Sequence, residues 1–413
     1  MTAPAKRVII VGGGLAGLAC AIRLHESGAR PLILEASDDV GGRVRTDMVD
    51  GFRLDRGFQV YLDAYPEAGK LLDTRALDLR PFKPGALVFL NGHLHRVMDV
   101  FREPRDLLTS ALAPVGSLAD KLRVALLKWR ISRSTFEEIA SRRDFTTEEY
   151  LRRAGFSQRM IDVFFRSFYG GIFLERDLRT SSRMFEFTFK MFSRGNATLP
   201  ARGMQEIPRQ LARRLPLEAI RRGARVAGVR SGNVTLDSGE RLDGDAVVVA
   251  TDATTAARLH PELATAEPAW RAVAGLYFAA KESPLREAII ALNGNGGGLV
   301  NNVCVLSDVA PEYAPAGQAL ISISVLGAPE SPDLEGQVIA ELASWFGPAV
   351  RGWRHLRTDR IVRALPEQPP SIEPSGPGCC ETGGVFVCGD HLASASIEGA
   401  ITSGLRCAEA VLR

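Results

Sequence analysis

Residues 8–46 read VIIVGGGLAGLACAIRLHESGARPLILEASDDVGGRVRT, and this stretch decides the fold. The short run Val8 to Val11 is β-branched, which is typical of a buried parallel strand. Gly12, Gly14 and Gly17 then form G-x-G-x-x-G where the strand gives way to a helix. In this pattern the glycines allow a tight turn, close approach of the backbone to a pyrophosphate, and close packing of helix on strand. The stretch therefore predicts a dinucleotide-binding unit.

An acidic residue completes this unit. Apolar residues between Leu15 and Ile22 form one helical face, and the next apolar segment ends at Glu35. Glu35 lies about 20 residues after Gly14, where a carboxylate can accept both hydroxyls of an adenosine ribose. The carboxylate would repel the 2′-phosphate of NADP, so NAD and FAD both remain possible on these residues. A purely structural glycine turn is the competing interpretation, and the strand, helix and acid around the motif count against it.

Gly41, Gly42 and Arg43 continue the pattern. Together with Glu35-Ala36 and Arg45-Thr46 they resemble the extended fingerprint of the flavin-containing amine oxidase superfamily. That superfamily includes monoamine oxidases, protoporphyrinogen oxidase and the phytoene-desaturase-like enzymes. The resemblance implies non-covalent FAD, with Arg43 near the pyrophosphate, where a guanidinium can bond two phosphate oxygens. A solvated loop arginine is the alternative for Arg43 considered by itself.

The C-terminal block GGVFVCGDHLASASIEGAITSGLRCAEAVLR, residues 383–413, is a second signature. Its pattern predicts a buried strand up to Cys388 and a helix from Ile397 to Leu412. The block resembles the closing motif of the same superfamily, which implies that Asp390 bonds the ribityl chain or the pyrophosphate. The helix would direct its N-terminus at the flavin, where backbone N–H groups and the positive dipole end stabilise negative charge on the reduced ring.

The resemblance also assigns residues between these two signatures to the cofactor. Gly51 to Tyr61 alternates like a strand interrupted at Gly57, and the corresponding segment passes the isoalloxazine ring, although Phe58 could equally be ordinary core. Residues 225–250 predict a β-meander in which Val226 would meet the adenine edge, but a half-buried hairpin without a ligand gives the same pattern. The predicted cofactor-binding residues are Gly12, Gly14, Leu15, Ala16, Gly17, Glu35, Ala36, Gly41, Gly42, Arg43, Gly57, Phe58, Gln59, Val226, Ala250, Thr251, Gly389, Asp390, Ser396 and Ile397.

Length and composition limit the possible domain organisation, partners and location of the protein. With 413 residues the chain can hold two domains. We expect an α/β fold with α+β insertions: a Rossmann-type FAD-binding domain (1–90, 200–265 and 355–413) and a discontinuous substrate-binding domain of helices plus antiparallel sheet (91–199 and 266–354). A net charge of +3 is too small to indicate nucleic-acid binding. The first strand begins at Val8 and no apolar run is long enough to span a bilayer, so we expect a cytoplasmic protein that is soluble or peripheral.

The cysteines give no sign of a metal site. They show no C-x-x-C and no Cys/His pairing at metal spacing: Cys20, Cys304, Cys379, Cys380, Cys388 and Cys407. We expect buried thiols and no bound metal. A vicinal Cys379–Cys380 disulfide is the alternative to a reduced pair, which a cytoplasmic location favours.

Residues 102–193 are predicted to be helical and are rich in arginine. Apolar residues repeat at helical spacing from Leu118 to Trp129, with lysine and arginine around them. The pattern favours a surface helix whose stripe packs on the protein's own core; contact of residues 118–130 with an anionic inner membrane surface is the alternative. Aromatic residues are concentrated between Phe164 and Phe192, where an aromatic core is the default and an apolar substrate pocket is the functional alternative.

The family chemistry implied by the resemblance is hydride removal from substrate to flavin N5. The chain has no second nucleotide fingerprint, so electrons would pass to oxygen, a quinone or another external acceptor.

Amine oxidases usually carry a lysine behind the flavin, but its counterpart here falls near Gly275, and Lys281 comes too late. This departure and the aromatic-rich insertion favour an apolar substrate, isoprenoid or tetrapyrrole-like. A flavin amine oxidase that releases hydrogen peroxide and a redox-neutral or non-catalytic flavoprotein are the alternatives, and no catalytic side chain is assigned.

Overall fold

The computed structural model describes residues 5–262, 268–371 and 378–413. Helices and strands are numbered in chain order. Six strands form the first sheet: β1 (Arg7–Val11), β2 (Arg30–Leu34), β10 (Ile220–Arg221), β14 (Ala246–Val249), β20 (Cys379–Thr382) and β21 (Val385–Cys388). Their order is β10-β2-β1-β14-β21-β20, parallel except for the edge pair β20–β21. The predicted Rossmann-type sheet is present.

Both faces of this sheet are covered, as the uninterrupted apolar strands predict. Val8 and Ile10 of β1 point toward α1 (Leu15–Glu26) and α14 (Ile397–Leu412). Ile9 and Val11 point to the other core, which includes a three-stranded sheet of β11 (Val226–Arg230), β12 (Asn233–Leu236) and β13 (Arg241–Asp243). The alternation of side chains along one strand thus divides this part of the protein into two packed layers.

Seven strands form the second sheet: β7 (Gly85–Leu90), β8 (His93–Met98), β15 (Trp270–Ala280), β16 (Ile290–Asn293), β17 (Val300–Val305), β18 (Ala319–Leu326) and β19 (Arg354–Pro366). Their order is β19-β15-β18-β17-β16-β7-β8, and only the β7–β16 pair is parallel. Asn91-Gly92 joins β7 to β8 with positive φ at both residues, as the predicted hairpin requires. One face of the sheet packs against α13 (Leu334–Phe346).

Sheet membership does not follow the predicted domain limits. The hydrogen-bonded partners of β7 and β19 lie in the second sheet, although residues 1–90 and 355–413 are predicted to be FAD-binding. The limit at residues 265 and 266 lies outside the described residues. The division into two discontinuous domains therefore stays a prediction.

The helical insertion has a core of aromatic side chains. Its helices are α3 (Leu107–Leu112), α4 (Leu118–Arg133), α5 (Phe136–Ser141), α6 (Thr147–Arg153), α7 (Gln158–Met160), α8 (Arg166–Phe173) and α9 (Ser182–Arg194), with a π-helical turn at Ile161–Phe165. Phe165, Tyr169, Phe173 and Phe185 are buried among them. The interpretation of these aromatics as core is confirmed.

Short elements connect the two sheets. They are β3 (Thr46–Val49), β4 (Phe52–Asp55), β5 (Tyr61–Leu62), β6 (Leu79–Pro81), β9 (Ala197–Pro200), α2 (Pro66–Leu71), α10 (Glu206–Ala212), α11 (Ala253–Leu259) and α12 (Leu306–Val309). The strand predicted from Gly51 to Tyr61 is two strands, because Gly57 has a φ of +80° and interrupts the extended backbone. In the part of the chain that the structure describes, no helix is both long and apolar enough to cross a bilayer.

Candidate functional site

Gly12, Gly14 and Gly17, where the first loop leads from β1 into α1, have different surroundings. Gly12 has a φ of +108°, and a Cβ there would lie 2.7 Å from the carbonyl oxygen of Ala250. A Cβ on Gly17 would lie 2.0 Å from the carbonyl oxygen of Gly12, so α1 must pack closely on the loop. A Cβ on Gly14 would meet nothing within 4 Å. Packing therefore requires Gly12 and Gly17, whereas Gly14 borders open space where the fingerprint expects a pyrophosphate.

The second glycine pair lies against the first loop. The Gly41 N–H donates to the carbonyl oxygen of Gly13 at 2.9 Å, and a Cβ on Gly42 would lie 3.5 Å from the Cα of Gly14. Gly41 and Gly42 both have positive φ, and a Cβ on Gly41 would lie 2.4 Å from the Val44 carbonyl oxygen. Backbone from two separate segments thus lines one open cradle, which suits a ligand that needs close backbone contact.

The local backbone fixes the carboxylate of Glu35. Its Oε2 accepts from the Gly13 N–H at 2.7 Å, and its Oε1 accepts from the N–H and hydroxyl of Ser37 at 2.8 and 2.6 Å. The Glu35 side chain is buried, and Oε2 keeps a further lone pair for a hydroxyl donor. The Ala224 N–H donates to the backbone oxygen of Glu35, and this bond holds Val226, at the start of β11, near Glu35. Ala36 follows as an exposed residue.

Arg43 joins the two sequence signatures. Its guanidinium donates to the Asp390 carboxylate at 2.6 Å and to the Ala364 carbonyl oxygen at 3.0 Å. The guanidinium also lies over the Trp270 ring, 5.8 Å from its centroid. Asp390 is buried, and Gln59 donates from its side-chain amide to the Arg43 carbonyl oxygen at 2.8 Å. The arrangement brings Arg43, Gln59 and Asp390 together, and contact of Arg43 with a pyrophosphate stays a prediction.

The first turn of α14 is anchored on both sides. Ser396 caps the helix by accepting from the Gly399 N–H at 3.0 Å. Buried Glu398 accepts from the N–H groups of Glu67 and Ala68 at 2.8 and 2.9 Å, at the start of α2. A Cβ on Gly404 would lie 2.1 Å from the carbonyl oxygen of Ala16, so α14 and α1 are in close contact. Ile397 therefore begins a helix that cannot shift without disturbing α1 and α2.

Of the remaining residues predicted to bind the cofactor, some lie beside the glycine cradle and others are packed in the protein core. The Ala250 N–H donates to the Val11 carbonyl oxygen at 2.8 Å, so Ala250 and Thr251 lie beside the first loop at the end of β14. Phe58 is half-buried and meets Phe82 edge to face at 6.3 Å, as an ordinary core ring would. The structure places Leu15, Ala16 and Gly389 in buried positions.

Gly275, where amine oxidases are expected to carry a lysine, lies against the Gly57 turn. A Cβ on Gly275 would lie 3.4 Å from the Cα of Gly57, and a Cβ on Gly57 would lie 2.9 Å from the Ile361 side chain. The backbones of β15 and of the Gly57 turn are therefore in contact at this position. A Cβ at position 275 would be in ordinary van der Waals contact with the Gly57 turn, and Gly275 itself leaves this position without a side chain.

Sequence reasoning missed a buried polar patch beside Gly275. Ser324 pairs with Gly275 across the sheet, Ser322 pairs with Tyr277, and Asn302 pairs with Ser324. All three polar side chains are buried; Asn302 donates to the Ser324 hydroxyl at 3.3 Å, and the Ser322 hydroxyl has no hydrogen-bond partner among the described residues. Buried polar groups are normally paired. The alternating sequence ISIS at residues 321–324 could have indicated this patch, since side chains two residues apart in a strand lie on the same face.

Aromatic rings of the helical insertion reach the anchored end of α14. Phe187 of α9 stacks on Tyr65, the residue before α2, at 6.2 Å and an interplanar angle of 8°. Tyr61 meets Tyr65 at 5.7 Å. Burial raises the pKa of Tyr61 and of Tyr65, so both phenols are neutral at pH 7. A separate narrow cleft lies between the helical insertion and the second sheet, lined by Phe173, Thr180, Met184, Arg271, Leu365, Pro366, Glu367, Gln368 and Ala395.

The cysteines and acids do not converge on a metal site in the described ranges. No group of three His, Cys, Asp or Glu side chains there could hold a metal ion. The six cysteines, which include Cys379 and Cys380, are free thiols.

The chain belongs to the family of flavin-containing amine oxidoreductases, whose model matches residues 15–412. A relative named protoporphyrinogen oxidase 2, chloroplastic/mitochondrial, of Arabidopsis thaliana is 30% identical over 169 residues, 40% of this chain and 32% of the relative. Coproporphyrinogen III oxidase of Bacillus subtilis (strain 168) is 24% identical over 297 residues, 62% of each protein. The matches thus span less than two thirds of these relatives. Among solved structures, an oxidoreductase from Methanosarcina mazei shares the fold, with a TM-score of 0.75 at 18% identity over 98% of this chain and 99% of that chain.

The family's cofactor is FAD, and the residues present fit it. Gly14 and Gly42 leave a backbone cradle suited to a pyrophosphate, and Glu35 offers a fixed acceptor for a ribose hydroxyl. The start of α14 provides backbone N–H groups at a fixed helix N-terminus. The assignment of individual residues to FAD stays a prediction.

Proposed function

We propose that this member of the flavin-containing amine oxidoreductase family oxidises an apolar substrate of the tetrapyrrole-like or isoprenoid class. Electrons would pass to oxygen, a quinone or another external acceptor. The observation that carries the proposal is the contact of Phe187 with Tyr65, which brings apolar rings of the helical insertion close to the start of α14, where the family resemblance implies the flavin. The names of the two relatives, both porphyrinogen oxidases, favour a tetrapyrrole-like substrate.

FAD, when bound, supplies the hydride-accepting chemistry. The chain's own residues hold and orient it: the Gly14 and Gly42 backbone would contact the pyrophosphate, Glu35 the ribose, and Asp390 the ribityl chain or pyrophosphate. The N-terminal turn of α14 would stabilise negative charge at the ring. The rings of Tyr61, Tyr65 and Phe187 would exclude water from the substrate side.

Base catalysis is not favoured at three side chains near the start of α14, those of Tyr61, Tyr65 and Glu398. Tyr61 and Tyr65 are neutral at pH 7 because burial raises the pKa of each phenol. Both oxygens of the Glu398 carboxylate are engaged by the start of α2. That none of these three groups would take the proton fits an oxidation in which solvent takes it. Together with Gly275 in place of a lysine, this argues against the amine-oxidase alternative.

Anaerobic mixing of the flavin-loaded protein with candidate substrates tests the proposal. Coproporphyrinogen, protoporphyrinogen and phytoene represent the proposed classes, and a panel of simple amines represents the alternative. We expect loss of the oxidised flavin absorbance with a member of the first group and none across the amines. Reduction by an amine, with peroxide released in air, would establish an amine oxidase instead, and reduction by no compound would leave a redox-neutral or non-catalytic flavoprotein.

A matched pair of variants tests the role of the aromatic contact. Phe187→Leu should raise KM for the apolar substrate about tenfold, because it removes a ring from the proposed substrate wall. Phe346→Leu is the control, since Phe346, the last residue of α13, is also partly buried but packs against the core between α13 and the second sheet. Equal KM values for the two variants would contradict the placement of the substrate beside Phe187.

A further inference from the structure

Exposed apolar side chains are concentrated in one segment of the helical insertion. Eight large apolar residues between residues 101 and 129 are 56–74% exposed: Phe101, Leu107, Leu108, Leu112, Leu118, Leu122, Leu126 and Trp129. We name this set the α3–α4 apolar surface. Elsewhere in the described ranges the exposed large apolar residues are Met48, Leu217, Val362 and Leu412, which are far apart in sequence. A concentrated apolar patch marks an interaction site, whereas scattered single residues do not.

Helix α4 has two apolar faces, and only one packs on the protein. Leu127 and Ile131 are buried, and Asp120 is buried in a capping box with Ser117. Leu118, Leu122, Leu126 and Trp129 lie on the opposite side, within about 80° of arc at 100° per residue. The prediction that the Leu118–Trp129 stripe packs on the protein's own core is therefore wrong, because a separate set of residues on the other face does so.

Specific contacts hold the exposed residues together as one surface. The Lys121 ammonium donates to the carbonyl oxygens of Ala111 and Ala113 at 2.6 and 2.9 Å, which fixes the end of α3 beside the start of α4. The Lys128 ammonium lies 5.1 Å from the centroid of the Phe101 ring, which fixes that ring beside the second half of α4. The surface is thus built from three neighbouring pieces of chain.

Positive charge surrounds this surface. Residues 101–133 contain seven lysine and arginine residues against three acidic residues, an excess of four charges in a chain whose total is +3. Along α4, Lys121 and Lys128 lie on one edge of the apolar stripe, and Arg123 and Arg130 lie on the other. Lys128 pairs with Asp99 at 2.5 Å, and the two arginines pair with Asp120 and Glu186 at 3.7 and 3.4 Å, so the edges carry these ion pairs as well as the net positive charge of the segment. An exposed apolar stripe between basic edges is the pattern of a helix that lies in a membrane interface. Long basic side chains can keep their charges at the headgroups while their stems cover apolar surface.

We infer that the α3–α4 apolar surface docks on a bilayer that contains anionic phospholipids. The charge distribution selects this occupant over a second copy of the chain. A two-fold contact through the same surface would bring the basic edges of both copies together, which is repulsive. An anionic bilayer complements the basic edges and also accepts the leucine side chains.

Vesicle binding by the full-length, flavin-loaded protein tests the inference. The probe is phosphatidylcholine vesicles with and without phosphatidylglycerol, and the readout is the fraction of protein that sediments with lipid. We expect binding at least tenfold tighter with phosphatidylglycerol, and at least tenfold loss of that binding in Leu118→Gln/Leu122→Gln/Leu126→Gln. The matched control, Met48→Gln/Leu217→Gln/Val362→Gln, replaces three exposed apolar residues outside the surface and should bind as the wild type does.

Three outcomes would overturn the inference. They are wild-type protein that binds neither vesicle, a Leu118/Leu122/Leu126 variant that binds lipid as tightly as the wild type, and a wild-type dimer that the same variant converts to a monomer. The last outcome, measured by light scattering, would assign the surface to a second copy. Equal flavin content in both triple variants shows that the substitutions leave the fold intact, and neither set contains a residue of the cofactor cradle.

Discussion

Gly14 and Gly17 have the same side chain, but the protein needs them for different reasons. Gly17 has no room for a Cβ, since one would lie 2.0 Å from the Gly12 carbonyl oxygen. Gly14 has room within the protein itself, and its φ of −73° and ψ of −179° are accessible to any residue. We therefore predict that a need for glycine at position 14 would come from the ligand.

Alanine substitutions separate these two requirements. Gly14→Ala should change the free energy of unfolding of the apoprotein by less than about 1 kcal/mol, the scale of an N-cap substitution, and weaken FAD binding at least tenfold. Gly17→Ala should cost roughly 1–3 kcal/mol or more, because the new methyl group overlaps backbone. Urea unfolding and fluorescence titration with FAD measure the two effects. A Gly14→Ala protein that binds FAD as tightly as the wild type would refute the role given to Gly14.

At the residue scale the sequence predicts the local geometry of the glycine loop well and contacts between distant segments poorly. The spacing of Gly12, Gly14 and Gly17 reports local geometry, because all three lie in one strand–loop–helix unit. The contact of Gly275 with Gly57 and the burial of Ser322 depend on segments that meet only in the folded chain. No local pattern contains that information.

At the scale of elements, α14 is bound to the N-terminal unit by contacts of three kinds. Gly404 packs on Ala16, Glu398 accepts from the start of α2, and Asp390, before the helix, pairs with Arg43. Side-chain periodicity predicts α1, α14 and the strands before them, since each forms one continuous apolar face. It does not predict that β7 pairs with β16 or that β19 joins the second sheet, because those partners are distant in sequence.

A double-mutant cycle measures how strongly the two signatures are joined. For Arg43→Gln and Asp390→Asn in the apoprotein we expect a coupling free energy of about 1–2 kcal/mol, because Asp390 is buried while Arg43 is partly exposed. The control is the exposed Arg354–Asp50 pair at 2.7 Å, whose coupling should fall below about 0.5 kcal/mol. Equal coupling in both cycles, measured by urea unfolding, would show that the Arg43–Asp390 contact adds nothing beyond a surface ion pair.

At the scale of the whole molecule, residues from both ends of the chain meet at the predicted cofactor site. The sheet places β1 and β14 side by side and β21 next to β14, so the loops after these three parallel strands meet at one edge. The second sheet contacts the Gly57 turn through Gly275, and the helical insertion contacts Tyr65 through Phe187. The sequence predicts the apolar stripe of α4 within the α3–α4 apolar surface. It does not predict that this stripe faces solvent, because α4 has two apolar faces and either could pack on the core.

The most direct test of the FAD site is the cofactor content of the purified full-length protein. Native mass spectrometry, combined with the absorbance spectrum, gives the number of FAD molecules per chain. We predict one FAD per chain that is released when the protein unfolds and binds again when the refolded apoprotein is mixed with FAD. A correctly folded protein that stays colourless after incubation with excess FAD would contradict the assignment.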